Sequence, residues 1–262
     1  MEKKEIKGKK TFCIVEESFI QRYRLLSFIT TLNSVETNAN CIIACRKKTE
    51  ELIKSFPLKF TIKIHFITIR SKEWKFIDMY KYILRTIKYC VEKFGSCIFI
   101  RDNLILVRKI EISDEIKKQG YGFHKRLYEG HLPEINMTRF HSEIVYVNNL
   151  EFVNNIEELL EIPDFHRKGR FTKKEKKIFQ KNVVNIEYKY VEKYKTKYLF
   201  PYETLITTED FFSFEPKIEI KNITSNLMWK DKKISVFGVR MEKPRPQMKQ
   251  LNQELLKLIL KY

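Results

Sequence analysis

Residues 97–107 read Cys97-Ile98-Phe99-Ile100-Arg101-Asp102-Asn103-Leu104-Ile105-Leu106-Val107, two short apolar runs divided by a polar triplet. Each run is too short for a helix and is made of residues that suit a buried pleated surface, so each reads as a strand. Ahead of it, residues 73–94 carry apolar side chains at helical spacing and stop at Gly95, a natural helix terminator. Further back, residues 60–69 form a third strand, 47–56 a charged helix ended by Pro57, and 41–45 a second strand. Phe19, Ile20, Tyr23, Leu26, Ile29 and Leu32 place one apolar face on a helix over 18–33, and Thr11–Val15 is the opening strand. Strands alternating with helices predict a mainly parallel α/β sheet covered by helices on both faces. Ligands of such sheets sit beyond the carboxyl ends of the strands. That rule singles out Glu16-Glu17-Ser18, Arg70-Ser71-Lys72 and Arg101-Asp102-Asn103, although Glu16 and Glu17, as charged residues after a strand, are expected at the surface.

After residue 110 the pattern changes. Residues 120–133 read as a loop holding His124, Lys125, Arg126 and His131, 143–149 as a strand, 154–161 as a short acidic helix, and 174–184 as a helix after a polar, basic stretch. Tyr188, Tyr190, Tyr194 and Tyr198, interleaved with lysines, read as a half-exposed strand rather than a base-stacking surface. Short strands follow at 218–220, 227–229 and 234–237, and an amphipathic helix closes the chain at 247–260.

Composition narrows the function classes. Hydrophobic residues make up 43% of the chain, enough for a packed core and too many for a disordered chain. Only 7 glycines are present, and no cluster of them builds a dinucleotide-binding loop or a P-loop. The net charge of +18 favours an anionic partner such as a nucleotide, a phosphosugar, RNA or an acidic protein, though a biased base composition rich in Lys, Ile, Asn and Tyr codons gives the same signature. No apolar run approaches the length of a membrane span, and the charged N-terminus lacks the apolar core of a signal peptide. Cys13, Cys41, Cys45, Cys90 and Cys97 are odd in number, lack CxxC spacing and sit in apolar runs, so they read as buried free thiols in a reducing, cytoplasmic setting. The histidines show no zinc-ligand spacing, and the carboxylates no nuclease-type cluster.

Four segments carry a resemblance. Residues 11–32 are similar to an opening strand, loop and helix that receive a nucleotide. Ile98-Phe99-Ile100-Arg101-Asp102-Asn103-Leu104-Ile105 resembles a strand ending in D-x-D. Phe140-His141-Ser142-Glu143 before Ile144-Val145-Tyr146-Val147-Asn148 resembles F-N-S-G before an apolar strand. Ser235-Val236-Phe237-Gly238 through Lys243-Pro244 resembles H-x-x-G-x-x-K-P-W. A weaker fifth match sets Glu175-Lys176-Lys177-Ile178-Phe179-Gln180 against D-Q-x-x-x-N. In this order the segments resemble the GT-A glycosyltransferases, closest to the family-8 group that includes glycogenin. The resemblance implies one domain over 1–262, with a nucleotide-binding half at 1–110, an acceptor half at 111–246 and a closing helix at 247–262. It also implies a nucleotide-sugar as ligand, with Glu16, Tyr23, Arg70, Arg101, Asn103, His141, Ser142 and Lys243 binding it and Asp102 or Glu143 serving the acceptor hydroxyl.

The departures from that pattern matter as much. The family's two Asp residues and late His hold a divalent metal; here those positions fall on Arg101, Asn103 and Ser235. A hard cation needs anionic oxygens, so no metal cofactor is expected, and Mn²⁺ is not expected to bind in the usual way. Glu143 stands where the family keeps glycine. Two outcomes follow: metal-independent hexose transfer in which Arg101 meets the leaving-group charge, or a catalytically inactive pseudo-glycosyltransferase acting as a structural or interaction protein with an acidic or RNA partner.

Overall fold

The computed structural model describes residues 9–16, 22–57, 59–70, 76–102, 104–123, 144–183, 186–201, 204–207, 228–229, 232–233 and 236–238. In chain order the elements are β1 (Thr11–Val15), α1 (Arg22–Val35), β2 (Asn40–Cys45), α2 (Lys47–Lys54), β3 (Lys63–Thr68), α3 (Phe76–Phe94), β4 (Cys97–Ile100) and β5 (Leu104–Leu106). They continue with α4 (Asp114–Gln119), β6 (Tyr121–Phe123), β7 (Ile144–Val147), α5 (Leu150–Leu160), α6 (Lys173–Val183) and α7 (Ile186–Tyr194). The last are β8 (Leu205–Thr207), β9 (Met228–Trp229), β10 (Lys232–Lys233) and β11 (Val236–Gly238).

Six strands form the central sheet in the order β3-β2-β1-β4-β7-β6. β3, β2, β1 and β4 run parallel, as the alternation of elements requires, while β7 is antiparallel to both β4 and β6. β1 shows why these runs are continuously apolar. Its pleat sends Phe12 and Ile14 to one face, against Leu25, Phe28 and Leu32 of α1. Cys13 and Val15 go to the other, against Tyr80, Leu84 and Ile87 of α3. Both faces are covered, so alternation with polar residues is lost. α5, α6 and α7 extend the α3 layer through Phe152, Ile156, Phe179 and Tyr190, each such side chain contributing about 1.5–3 kcal/mol of burial free energy.

A second, three-stranded sheet has the order β5-β11-β8. It is anchored to the main body by Thr31 of α1, whose hydroxyl accepts from the Leu106 amide at 3.2 Å while donating back to the helix carbonyls of Ser27 and Phe28. A two-stranded ribbon, β9-β10, stands apart from both sheets.

Several elements differ from the sequence reading. The Tyr188–Tyr198 region is a helix over 186–194, not a strand, because Ile186, Tyr190 and Tyr194 recur every four residues. Ile186 and Tyr190 are buried, and the Tyr190 and Tyr194 rings pack 4.6 Å apart. Residues 121–123 are a strand rather than part of a loop; Gly122 hides the pattern, and a side chain there would meet Ile116 at 2.6 Å. The fifth strand leaves the central sheet and joins the small one. The expected strand at 218–220, the helix at 247–260, and His124, Lys125, Arg126 and His131 lie outside the described residues. Among the described residues, no helix is long and apolar enough to cross a membrane, and all five cysteines are buried and free.

The start of α6 carries a reciprocal cap. The Thr172 hydroxyl accepts from the Glu175 amide at 3.2 Å, and the Glu175 carboxylate accepts from the Thr172 amide at 2.7 Å and from Arg167 at 2.6 Å. The Arg167 hydrogen bond, then those from Thr172, hold the Glu175 carboxyl down at about 2. A lowered folded-state value stabilises the fold above the unfolded value of about 4.3 and loses that contribution as pH falls toward 2. The gap in urea midpoint between wild type and Glu175→Gln is therefore widest at neutral pH and narrows below about pH 4. A gap that stays constant down to pH 2 contradicts this cap.

Candidate functional site

The strand order turns back on itself at one place. From β1 the chain moves outward through β2 to β3, then returns by α3 to lay β4 on the other side of β1. The crossovers on the two sides pack against opposite faces, α1 on one and α3 on the other, which makes the carboxyl ends of β1 and β4 the topological switch point of the sheet. Open parallel sheets bind their ligands at such a switch point. Glu16 follows β1, and Arg101 and Asp102 follow β4. β1 and β4 pair Phe12 with Ile98 and Cys13 with Phe99, a register that, carried forward, brings Glu16 level with Asp102.

Glu16 is fully buried, contrary to the surface position expected for it. The reason is local: its carboxylate sits at the amino end of α2. It accepts the Arg46 amide at 2.8 Å, the Thr49 hydroxyl at 2.8 Å and the Arg46 guanidinium at 3.3 Å. The acid thus caps a helix whose own N-cap side chain makes no capping bond, and it fixes an arginine at the end of β2. Arg46 is the residue the sequence reading passed over. The signal was available, since it directly follows a parallel strand on the same edge as the other candidates. Cys45 beside it is no nucleophile: burial, with the Glu16 charge next, pushes its thiol up to about 12.

Asp102 is also withdrawn from solvent, at 3% exposure, whereas Arg101 is half-buried. Other candidate segments reach the same edge. Ile144, the neighbour of Glu143, lies opposite Ile100, the neighbour of Arg101. Gly238 of the fourth resemblance segment lies opposite Leu104, and Thr207 flanks it on the other side. Arg70 is exposed beyond β3, at the far side of β2 and β1 from β4, about 14 Å away at three strand spacings. The backbone of Tyr23 is in the first turn of α1, and its side chain lies outside the described residues, as do Asn103, His141, Ser142, Glu143, Ser235 and Lys243.

No family model and no curated protein matches the sequence. Solved structures do match the fold. The apo-form glycosyltransferase GlyE of Streptococcus pneumoniae TIGR4 superposes with a TM-score of 0.55 over 97% of this chain, at 7% identity. This chain has a GT-A-like glycosyltransferase fold. It spans 62% of the GlyE chain. A glycosyltransferase involved in glycosylation of the major capsid of PBCV-1 is similar over 94% of this chain and all of its own, at 10% identity and a TM-score of 0.49.

Among the described residues, the donor set at the β4 end holds few oxygen ligands for a hard divalent ion. Among the described residues, Asp102 offers one carboxylate there, next to an arginine, and the Glu16 carboxylate is already committed to α2. Such ions take several oxygen ligands. The edge also holds Arg46, paired with Glu16, and Arg101, at the ends of the second and fourth strands.

Proposed function

We propose that this chain binds a nucleotide-sugar at the carboxyl ends of β1 and β4 and transfers its hexose without a bound metal, in a layout related to the family-8 glycosyltransferases. The observation that carries this reading is the switch point itself, occupied by Arg101 and Asp102. In the reaction an acceptor hydroxyl attacks the anomeric carbon, the bond from that carbon to the diphosphate oxygen breaks, and the electron pair stays on the leaving diphosphate. The Arg101 guanidinium, whose planar fork matches phosphate oxygens, faces that charge, with Arg46 and Lys243 adding positive potential. Asp102 or Glu143 takes the hydroxyl proton. His141, Ser142 and Asn103 contact the sugar, while Tyr23 faces the base.

Thermal-shift and calorimetric titration against UDP- and GDP-sugars, each with Mn²⁺ and with EDTA, tests this. A donor that stabilises the protein equally in EDTA is the expected result, and Arg101→Ala weakens that donor by at least about tenfold, the loss of one charged hydrogen bond. Absence of stabilisation by every donor removes the reading. Binding with no hexose released to water or to an added acceptor moves the chain to the inactive, scaffold alternative. For the acceptor side, Asp102→Asn and Glu143→Gln separate the two candidate bases by which one lowers turnover while leaving donor affinity intact.

A further inference from the structure

Away from the strand ends, three thiols meet inside the α3 layer. Cys13 comes from the middle of β1, Cys90 from α3 and Cys97 from the start of β4, and their sulfur atoms all lie within 4.8 Å of one another. The three residues are exposed by 0%, 0% and 1%. They belong to the same buried apolar layer as Val15, Ile42, Ile87, Phe99 and Val147, and the Cys97 thiol lies 4.0 Å from the Ile87 carbonyl. The remaining two cysteines, Cys41 and Cys45, face the opposite layer.

We propose that Cys13, Cys90 and Cys97 form a closed, all-sulfur site for a soft d¹⁰ metal ion, with Cu⁺ as the best-matched occupant. Thiolate ligands select Cu⁺ and Zn²⁺ over hard cations. With metal–sulfur bonds of about 2.3 Å, three sulfurs around one ion lie about 4 Å apart, so the cluster has to contract by less than about 1 Å. Structural Zn²⁺ requires a fourth ligand, and the trio supplies three. One fourth candidate is His65 of β3, level with Cys13 across Ile42 in the strand register and outside the 4.8 Å cluster. Its Nε2 is buried and has no hydrogen-bond partner among the described residues. Three donors match the low coordination number of Cu⁺, which gains entry as β1, α3 and β4 come together, the ligating thiols releasing their protons to solvent as the metal–sulfur bonds form, so loading accompanies folding.

The test is to unfold the reduced protein anaerobically, refold it with one equivalent of Cu⁺ or of Zn²⁺, and measure metal retained after gel filtration against a copper chelator. Wild type is expected to retain one Cu⁺ per chain with a sulfur-to-copper absorption band. Cys90→Ser loses affinity by more than the roughly 10–100-fold that removal of an outer-sphere partner costs, whereas Cys41→Ser, a buried thiol of the other layer, keeps it. Retention of Zn²⁺ that disappears in both Cys90→Ser and His65→Ala also supports the site, with His65 as a fourth ligand. X-ray absorption of the copper-loaded wild type keeps the proposal testable should the serine variant fail to fold: a shell of three sulfurs supports it, and a shell of nitrogen or oxygen overturns it. Wild type that retains neither metal, or binding indifferent to Cys90→Ser, overturns it equally.

Discussion

Glu16→Ala lowers the unfolding free energy by about 3–5 kcal/mol, the range for removing one partner of a buried ion pair. The size follows from what is left behind. The Arg46 side chain is 18% exposed and faces a carboxylate exposed by only 1%, so deletion removes this counter-charge from a largely buried guanidinium. It also frees the Arg46 amide and the Thr49 hydroxyl, which is buried, from their acceptor. Glu16→Gln keeps one acceptor oxygen for the helix and is expected to cost less than alanine. Urea unfolding at neutral pH reads both, and a double-mutant cycle with Arg46→Ala is expected to return a coupling above about 1 kcal/mol. A loss below 1 kcal/mol for alanine would show that the network contributes little. The same variant bears on the proposed donor site, since Arg46 owes its position to this carboxylate.

The second large effect is at Tyr190. Its ring is 1% exposed and sits among Tyr194, Phe152, Tyr121 and Phe123, with centroids at 4.6, 5.1, 5.2 and 6.1 Å. Tyr190→Ala empties the centre of this group and is expected to cost about 3–5 kcal/mol, the range for a buried aromatic truncated to alanine. Tyr190→Phe removes only the hydroxyl that accepts from the Asn155 amide at 3.3 Å, a loss of about 1 kcal/mol. The contrast isolates ring packing from hydrogen bonding. An alanine variant that unfolds at the wild-type urea midpoint would mean that α7 does not pack on α5 as described.

The parallel half of the fold was legible because its strands are short apolar runs bounded by charge. The period of the pattern between them is unambiguous: residues 73–94 admit no strand reading. The tyrosine stripe was not, because Tyr188 and Tyr190 differ by two positions while Tyr190, Tyr194 and Tyr198 differ by four, so the early members fit a strand and the later ones a helix. Packing against Phe152 decides between them, and Phe152 is nowhere near in sequence. β6 was hidden by its central glycine. The rule about strand ends placed Glu16, Arg101 and Asp102 beyond the carboxyl ends of β1 and β4, where they lie, without any contact information. The burial of Glu16 was unreadable for a different reason. A lone glutamate after a strand gives no sign that a helix amino end some thirty residues later will close over it, and such long-range satisfaction is what makes a buried charge tolerable.

The small sheet has a consequence for how the chain is made. Ile105 of β5 is paired by Phe237 of β11, about half the chain away. At a synthesis rate of roughly 5–20 residues per second, on the order of ten seconds separates the emergence of the two from the ribosome. Through that interval the apolar Leu104–Leu106 edge is without its β11 partner, the kind of open edge that templates pairing between nascent chains. Thr31, already part of α1, satisfies the Leu106 amide from within the early half, so β5 is fixed against the body of the protein before its β11 partner has been translated.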